Sequence, residues 1–209
     1  PTNCFYSGGH QFTINAVDVH SATVERWRLC PNCAHAEREA EVQAKTACPR
    51  CGDPHWGDGG QVRDMLRVRM VYSNMPLQQS LIDDSSDSRT VRFYTKQLLV
   101  DIDEAHAIER AYEMSNDAFP FGYEFVRRAT LREINFGEAD EKQTGKMRVN
   151  GQETARKGFS ICPSCGRIAG ENGRIRHAPY CKIRQQGTLT AERAEDCIFL
   201  YREFQTEAL

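Results

Sequence analysis

No run of apolar residues in this 209-residue chain approaches the about 20 that a membrane helix requires. The longest, around Gln97 to Ile102, is short and interrupted by charge, so no membrane segment is expected. An excess of either charge is missing too. Lys and Arg number 27 against 29 Asp and Glu, a formal net charge of −2, which excludes a uniformly basic nucleic-acid binder and leaves room only for local patches. A phosphate-cradling Gly-x4-Gly-Lys-Ser/Thr loop is absent, and Gly145-Lys146 runs into Met147. No Ser/His/Asp arrangement with recognisable spacing occurs, and no carboxylate pair stands out, so the chain offers no catalytic constellation. Pro1-Thr2-Asn3 shows neither an initiator Met nor a signal pattern, and residues 204–209 contain no helix-ending or turn residue. A fragment of a longer protein is expected.

Cysteine, by contrast, is plentiful. Seven of the nine Cys fall, with one His, into two tight clusters at metal-ligand spacing, and only Cys4 and Cys197 are left over. Cys30-Pro31-Asn32-Cys33 and Cys48-Pro49-Arg50-Cys51 form two Cys-x2-Cys turns separated by fourteen residues. Two residues between thiolates let one tight turn aim both sulfurs at one ion, with Zn–S near about 2.3 Å. Four thiolates close the shell and leave no position for water or substrate, so a structural zinc site is expected. Its binding energy is folding energy. Two disulfides, four buried cysteines and an iron–sulfur centre are the other readings of this quartet. His35 and His55 flank it as loop histidines or spare ligands.

Cys162-Pro163-Ser164-Cys165-Gly166 repeats the turn and is followed by His177 and Cys181. The pattern suits a Cys3His structural zinc site, with Cys197 as the substitute fourth ligand should His177 face solvent. The surroundings of the two clusters differ in charge. Between Gly151 and Thr190, Arg156, Lys157, Arg167, Arg174, Arg176, Lys182 and Arg184 face only Glu153 and Glu171, whereas the first cluster is near neutral. If either module meets phosphates, it is the second. The bland reading is that these cations form a solvated face or pair with the acidic Asp83 to Asp87 stretch.

Along the chain, Gln11 to Val19 alternates as a strand after the turn Gly8-Gly9, and Val24 to Leu29 reads as a strand leading into Cys30. Ala34 to Ala47 suits a short helix or a long finger loop. Asp53 to Gly60 is a loop around Trp56 that closes the first metal module. Val62 to Ser73 and Arg89 to Ile102 are strand-like, with an acidic Ser-rich loop at Asp83 to Ser88 between them. Glu104 to Ser115, rich in Ala with Tyr112 and Met114, is expected to be helical and to end at Pro120. Strands with a bend follow over Phe121 to Phe136, a polar loop over Glu138 to Gly145, and a strand over Cys197 to Phe204. Asp103-Glu104-Ala105-His106 has the lettering of a helicase carboxylate pair. Without an upstream phosphate loop it is read as a chance match.

Four words carry a likeness to a known family: Phe5-Tyr6-Ser7-Gly8-Gly9-His10, Trp27-Arg28-Leu29-Cys30-Pro31-Asn32-Cys33, Arg132-Glu133-Ile134-Asn135-Phe136-Gly137 and Leu200-Tyr201-Arg202-Glu203-Phe204-Gln205-Thr206-Glu207-Ala208-Leu209. With them the chain resembles the C-terminal cysteine-rich accessory region of bacterial DEAD/DEAH-box superfamily 2 helicases, the domain shared with mitomycin-repair (MrfA-like) helicases and DISARM-type phage defence. The resemblance implies motor domains upstream, carrying ATP binding and hydrolysis, and DNA as the partner of the intact protein. The mitomycin-repair helicases have a single four-Cys site in this domain, where this chain has two clusters.

The expected fold is α+β, mostly short antiparallel strands with few helices and two structural zinc modules. Its divisions are 1–60 (a strand pair and the four-Cys module), 61–150 (an α+β segment) and 151–209 (the basic Cys3His module and a final strand). The expected ligands are Cys30, Cys33, Cys48 and Cys51 for one zinc, and Cys162, Cys165, His177 and Cys181 for the other. Arg174, Arg176, Lys182 and Arg184 are the candidate DNA contact. The rival expectation is a module that couples the helicase to a repair or defence partner protein without touching DNA. Thiolate sites and unpaired cysteines suit a reducing compartment, here the cytoplasm.

Overall fold

The computed structural model describes residues 4–41, 46–73, 75–82, 93–102, 108–115, 118, 121–138, 146–170, 173–185 and 198–207. Fourteen strands dominate them: β1 (Cys4–Ser7), β2 (His10–Thr13), β3 (Ala16–Val17), β4 (Val24–Leu29), β5 (Ala36–Arg38), β6 (Val62–Arg67), β7 (Val71–Tyr72), β8 (Tyr94–Asp101), β9 (Ile108–Glu113), β10 (Gly122–Val126), β11 (Arg128–Glu138), β12 (Lys146–Val149), β13 (Gln152–Ala155) and β14 (Phe199–Glu207). Helix is confined, among the described residues, to single turns such as α1 (Lys182–Gln185). Short antiparallel strands were expected and are found; the helical share is so small that the class is mostly β.

The expected helix over Glu104 to Ser115 is corrected: Ile108 to Glu113 is the strand β9, paired antiparallel with β10. Ala and Met favoured a helix, but Ile108, Arg110 and Tyr112 also alternate with Glu109, Ala111 and Glu113. Cross-strand ring contacts with β10 stabilise that second reading. In Ala34 to Ala47, β5 takes Ala36–Arg38 and a single 3-10 turn takes Glu39–Glu41. Asp83 to Ser88, Asp103 to His106, Pro120, residues 139–145 and Cys197 lie outside the described residues.

A six-stranded sheet in the order β5-β4-β6-β14-β11-β8 organises the molecule and takes strands from all three divisions of the chain. All its pairings are antiparallel except β6 with β14, where Phe199, Leu200 and Tyr201 lie opposite Met65, Leu66 and Arg67. Period-two alternation then builds two cores. On one face Trp27, Leu29, Met65, Leu99, Ile134, Phe136, Phe199 and Tyr201 pack under Met147 and Val149 of the β12–β13 hairpin. On the other, Leu66, Ile198 and Leu200 meet Val17, Phe159, Ile161 and Ile168. Beyond Leu200 no described element covers that second face, and Leu98, Val100 and Phe204 stand exposed on it. Among the described residues no helix is long and apolar enough to cross a membrane.

A polar network is inset in the first face. The Tyr201 hydroxyl donates to Glu25 Oε2 at 2.8 Å, Trp27 Nε1 donates to the same oxygen at 3.1 Å, and Arg38 lies 3.3 Å from it. Burial alone would raise the Glu25 carboxyl; these bonds and the Arg38 charge outweigh it and hold it below its usual range. Burial, then the Glu25 carboxylate, pushes the Tyr201 phenol up to about 12. A raised phenol stabilises the fold fully below its unfolded value of 10.0, and that contribution drains away as pH climbs toward the folded value. The metal-loaded protein should therefore melt at falling temperature above pH about 10, more steeply than Tyr201→Phe. Parallel melting curves for the two proteins would remove Tyr201 as the cause.

Candidate metal centres

Each metal cluster begins as a short backbone motif. In the second turn of the first cluster, Cys48 N–H donates to the Asp53 carbonyl and Gly52 N–H to the Cys48 carbonyl, both at 2.9 Å. In the second cluster Cys162 N–H donates to Arg167 and Gly166 N–H to Cys162, again at 2.9 Å. The tight loop needs a left-handed residue four after its first Cys, and glycine supplies it: Gly52 has φ 75° and Gly166 φ 69°. The Cys30 turn keeps the first bond, Cys30 N–H to the His35 carbonyl at 3.0 Å, but Ala34 occupies the glycine position.

A distant hairpin supplies what that turn lacks. Asn150 and Gly151, both left-handed at φ 50° and 75°, form the two-residue turn between β12 and β13. From it Asn150 N–H donates to the Cys30 carbonyl at 3.1 Å and Gly151 N–H to the Pro31 carbonyl at 2.8 Å. Sequence reading passed over this pair. Asn-Gly between Met147-x-Val149 and a following strand was the available signal, but where the hairpin docks is a tertiary matter.

Cys30, Cys33, Cys48 and Cys51 bring their sulfurs within 4.8 Å of one another. Cys30 and Cys51 are 3.6 Å apart, and Cys33 and Cys48 3.7 Å. A tetrahedral ion with bonds of about 2.3 Å to sulfur sets neighbouring sulfurs about 3.8 Å apart, whereas a disulfide holds them at about 2.05 Å. The quartet therefore fits one ion. Trp56, fully buried in the loop Asp53 to Gly57, packs against it with Cys30 and Cys48. The Arg28 guanidinium anchors that loop by donating to the Trp56 carbonyl at 2.6 Å. His35 turns away to the ring of Trp56 and to Glu37 Oε1 at 2.7 Å, and His55 bonds Asp53 Oδ1 at 3.1 Å. Neither is a ligand.

In the second cluster Cys162 and Cys181 are 3.7 Å apart. His177 Nδ1 lies 3.5 Å from Cys181 and 3.8 Å from Cys165, close to the about 3.6 Å that bonds of about 2.3 Å to sulfur and 2.0–2.1 Å to nitrogen imply. His177 is thus the fourth group of the quartet, through Nδ1. Cys4 belongs to neither quartet; it sits on β1 with its sulfur against the Thr13 hydroxyl.

Electrostatics explain why these sites call for a cation. Burial pushes the Cys30 thiol far above its usual range, Cys33 up to about 11 and Cys162 up to about 12. Cys51 is exposed; its slight burial works against ionisation, yet the Asp53 N–H and then the thiols of Cys33, Cys30 and Cys48 draw it down to about 7. The buried thiols of Cys30, Cys33 and Cys162 resist ionisation, and a divalent ion removes that resistance while displacing protons.

Around the second centre, Arg174 and Arg176 are exposed on either side of half-buried Ile175, immediately before His177, and Lys182 is exposed immediately after Cys181. Arg184 lies on α1, with its side chain outside what is described. Compared with known proteins, the chain matches no family model, no curated protein and no solved structure.

Proposed function

We propose that this chain is a zinc-braced accessory region of an ATP-dependent DNA helicase or translocase and that its second, basic metal module contacts DNA. Both quartets take zinc in this reading, since thiolate-rich tetrahedral shells with no open position suit that ion and a structural role. The zinc ions cross-link loops and supply no chemistry. ATP hydrolysis belongs to motor domains elsewhere in the protein. The helicase connection rests on the four sequence words given above.

The observation that carries the DNA contact is the setting of Arg174, Arg176 and Lys182 beside ligands His177 and Cys181, exposed and held on a loop that the metal makes rigid. Cations positioned in this way release counterions when they meet phosphates, with a salt slope of about 0.9 per contact on duplex DNA. Charge reversal at Arg174, Arg176, Lys182 and Arg184 together should weaken duplex binding at low salt and flatten the log–log salt dependence by about 3 to 4. Affinity and slope equal to those of the unaltered protein would sink the assignment.

One observation favours the rival reading of a protein-coupling module. The half of the central sheet that no described element covers carries exposed Leu98, Val100 and Phe204, an apolar surface of the kind that partners occupy. A protein that binds no DNA at any salt concentration would decide for it.

A further inference from the structure

β9 and β10 form a two-stranded ribbon that shares no strand pairing with any other sheet among the described residues. None of its side chains is buried. A lone ribbon of this kind is marginally stable in water, and what holds this one together is a line of rings. Tyr112 and Tyr123, opposite each other in the register, stack with centroids 5.2 Å apart. Phe125 meets Tyr123 edge-on at 5.8 Å, and Phe121 continues the line at 6.5 Å from Tyr123. These four rings are 45 to 56% exposed. Arg110, opposite Phe125 in the register, joins them on the same face. The reverse face holds Glu109, Glu113 and Glu124.

From this arrangement we infer that the β9–β10 ribbon is a stacking platform for single-stranded nucleic acid, separate from the contact proposed for the second metal module. Aromatic rings in solvent have π-faces to offer, and every unpaired base has one to match. Base-on-ring stacking needs no particular sequence and accounts for much of single-strand binding where rings line a surface. The charge distribution sets which side the strand takes: Arg110 attracts phosphate on the ring face, and Glu113 and Glu124 repel it from the reverse face, where Glu109 is paired with Arg127 at 3.6 Å. In a duplex the base faces are stacked on one another, so the ribbon discriminates in favour of single strands.

The test uses the zinc-loaded chain and a fluorescently labelled oligothymidylate, with a duplex of equal length as comparison. Tyr112→Ala, Tyr123→Ala and Phe125→Ala should each weaken oligothymidylate binding by about tenfold or more, with little change in salt slope. Tyr112→Phe and Tyr123→Phe should bind as the unaltered chain does, because stacking requires the ring and not the hydroxyl. Duplex binding should be unmoved by the alanine changes and sensitive to the charge reversal at the basic module, so the two contacts fail independently. Photo-cross-linking of a bromodeoxyuridine strand to the unaltered chain should place adducts on Tyr112, Tyr123 or Phe125, and this holds even if an alanine variant loses its fold. Three results overturn the inference: no binding of oligothymidylate, ring truncations that leave its affinity unchanged, or adducts confined to other residues. A protein that is dimeric until the rings are truncated would also overturn it, since the rings then meet a second copy.

Discussion

Exhaustive chelation should unfold most of the molecule: the far-ultraviolet signal of the sheet falls, and two equivalents of metal leave per chain. Structural zinc in small peptides supplies on the order of 10 kcal/mol at neutral pH, as much as the whole stability of an ordinary domain. Here the stake is not confined to the loops. β4 runs into Cys30 and β5 returns from Cys33, so the first ion fixes an edge of the central sheet. The second fixes the loop whose Ile161 and Ile168 fill the opposite core. Cys30→Ser and Cys162→Ser should therefore each leave about one metal per chain and a large drop in melting temperature. Metal content by elemental analysis, read beside circular dichroism, checks both. A chelated protein with unchanged melting would mean that the quartets are ornaments of a fold that stands without them.

The second large effect is expected at one glycine. A methyl group on Gly166 would run into the Val17 carbonyl oxygen, because β3 docks there by donating Val17 N–H to the Gly166 carbonyl at 2.9 Å. Gly166→Ala combines that collision with a left-handed backbone and should cost about 2 to 4 kcal/mol, or roughly 5 to 15 °C of melting temperature. Gly52 holds the same place in its own turn, at φ 75°, but a methyl group there would meet nothing within 4 Å. Gly52→Ala should accordingly cost only about 1 kcal/mol. Equal losses at the two positions would show that conformation alone, and not the approach of β3, governs Gly166.

The contrast between those glycines indicates what sequence can and cannot disclose. Cys-x2-Cys turns were legible because their chemistry is local: ligand spacing, loop and glycine lie within six residues. Val24 to Leu29 was legible because alternation survives in a half-buried strand. The role of Asn150 and Gly151 was not, since their turn completes the Cys30 loop from more than a hundred positions away. The segment Ile108 to Glu113 misled because its composition suits a helix and its alternation suits a strand, and only the rings of β10 decide between them. The partial burial of Arg132 was equally hidden. Its guanidinium bonds Glu203 at 2.7 Å and Asp101 at 3.1 Å and lies 5.1 Å from the Trp27 ring, a meeting of four separate strands.

The parallel pairing of β6 with β14 also constrains the order of folding. β14 comes last among the described strands, yet it lies inside the sheet, with β6 on one side and β11 on the other. Until the ribosome has released residue 207, the sheet exists only as two unjoined pieces, β5-β4-β6 and β11-β8, each with an open edge. The local metal loops are free to close during synthesis, while the hydrophobic core must wait for a contact that spans most of the chain. Such long loop closures slow folding, and open strand edges invite aggregation in the interval. Early metal capture would fix the β4–β5 hairpin on which β6 pairs, so that only the β6 edge is left to wait for β14.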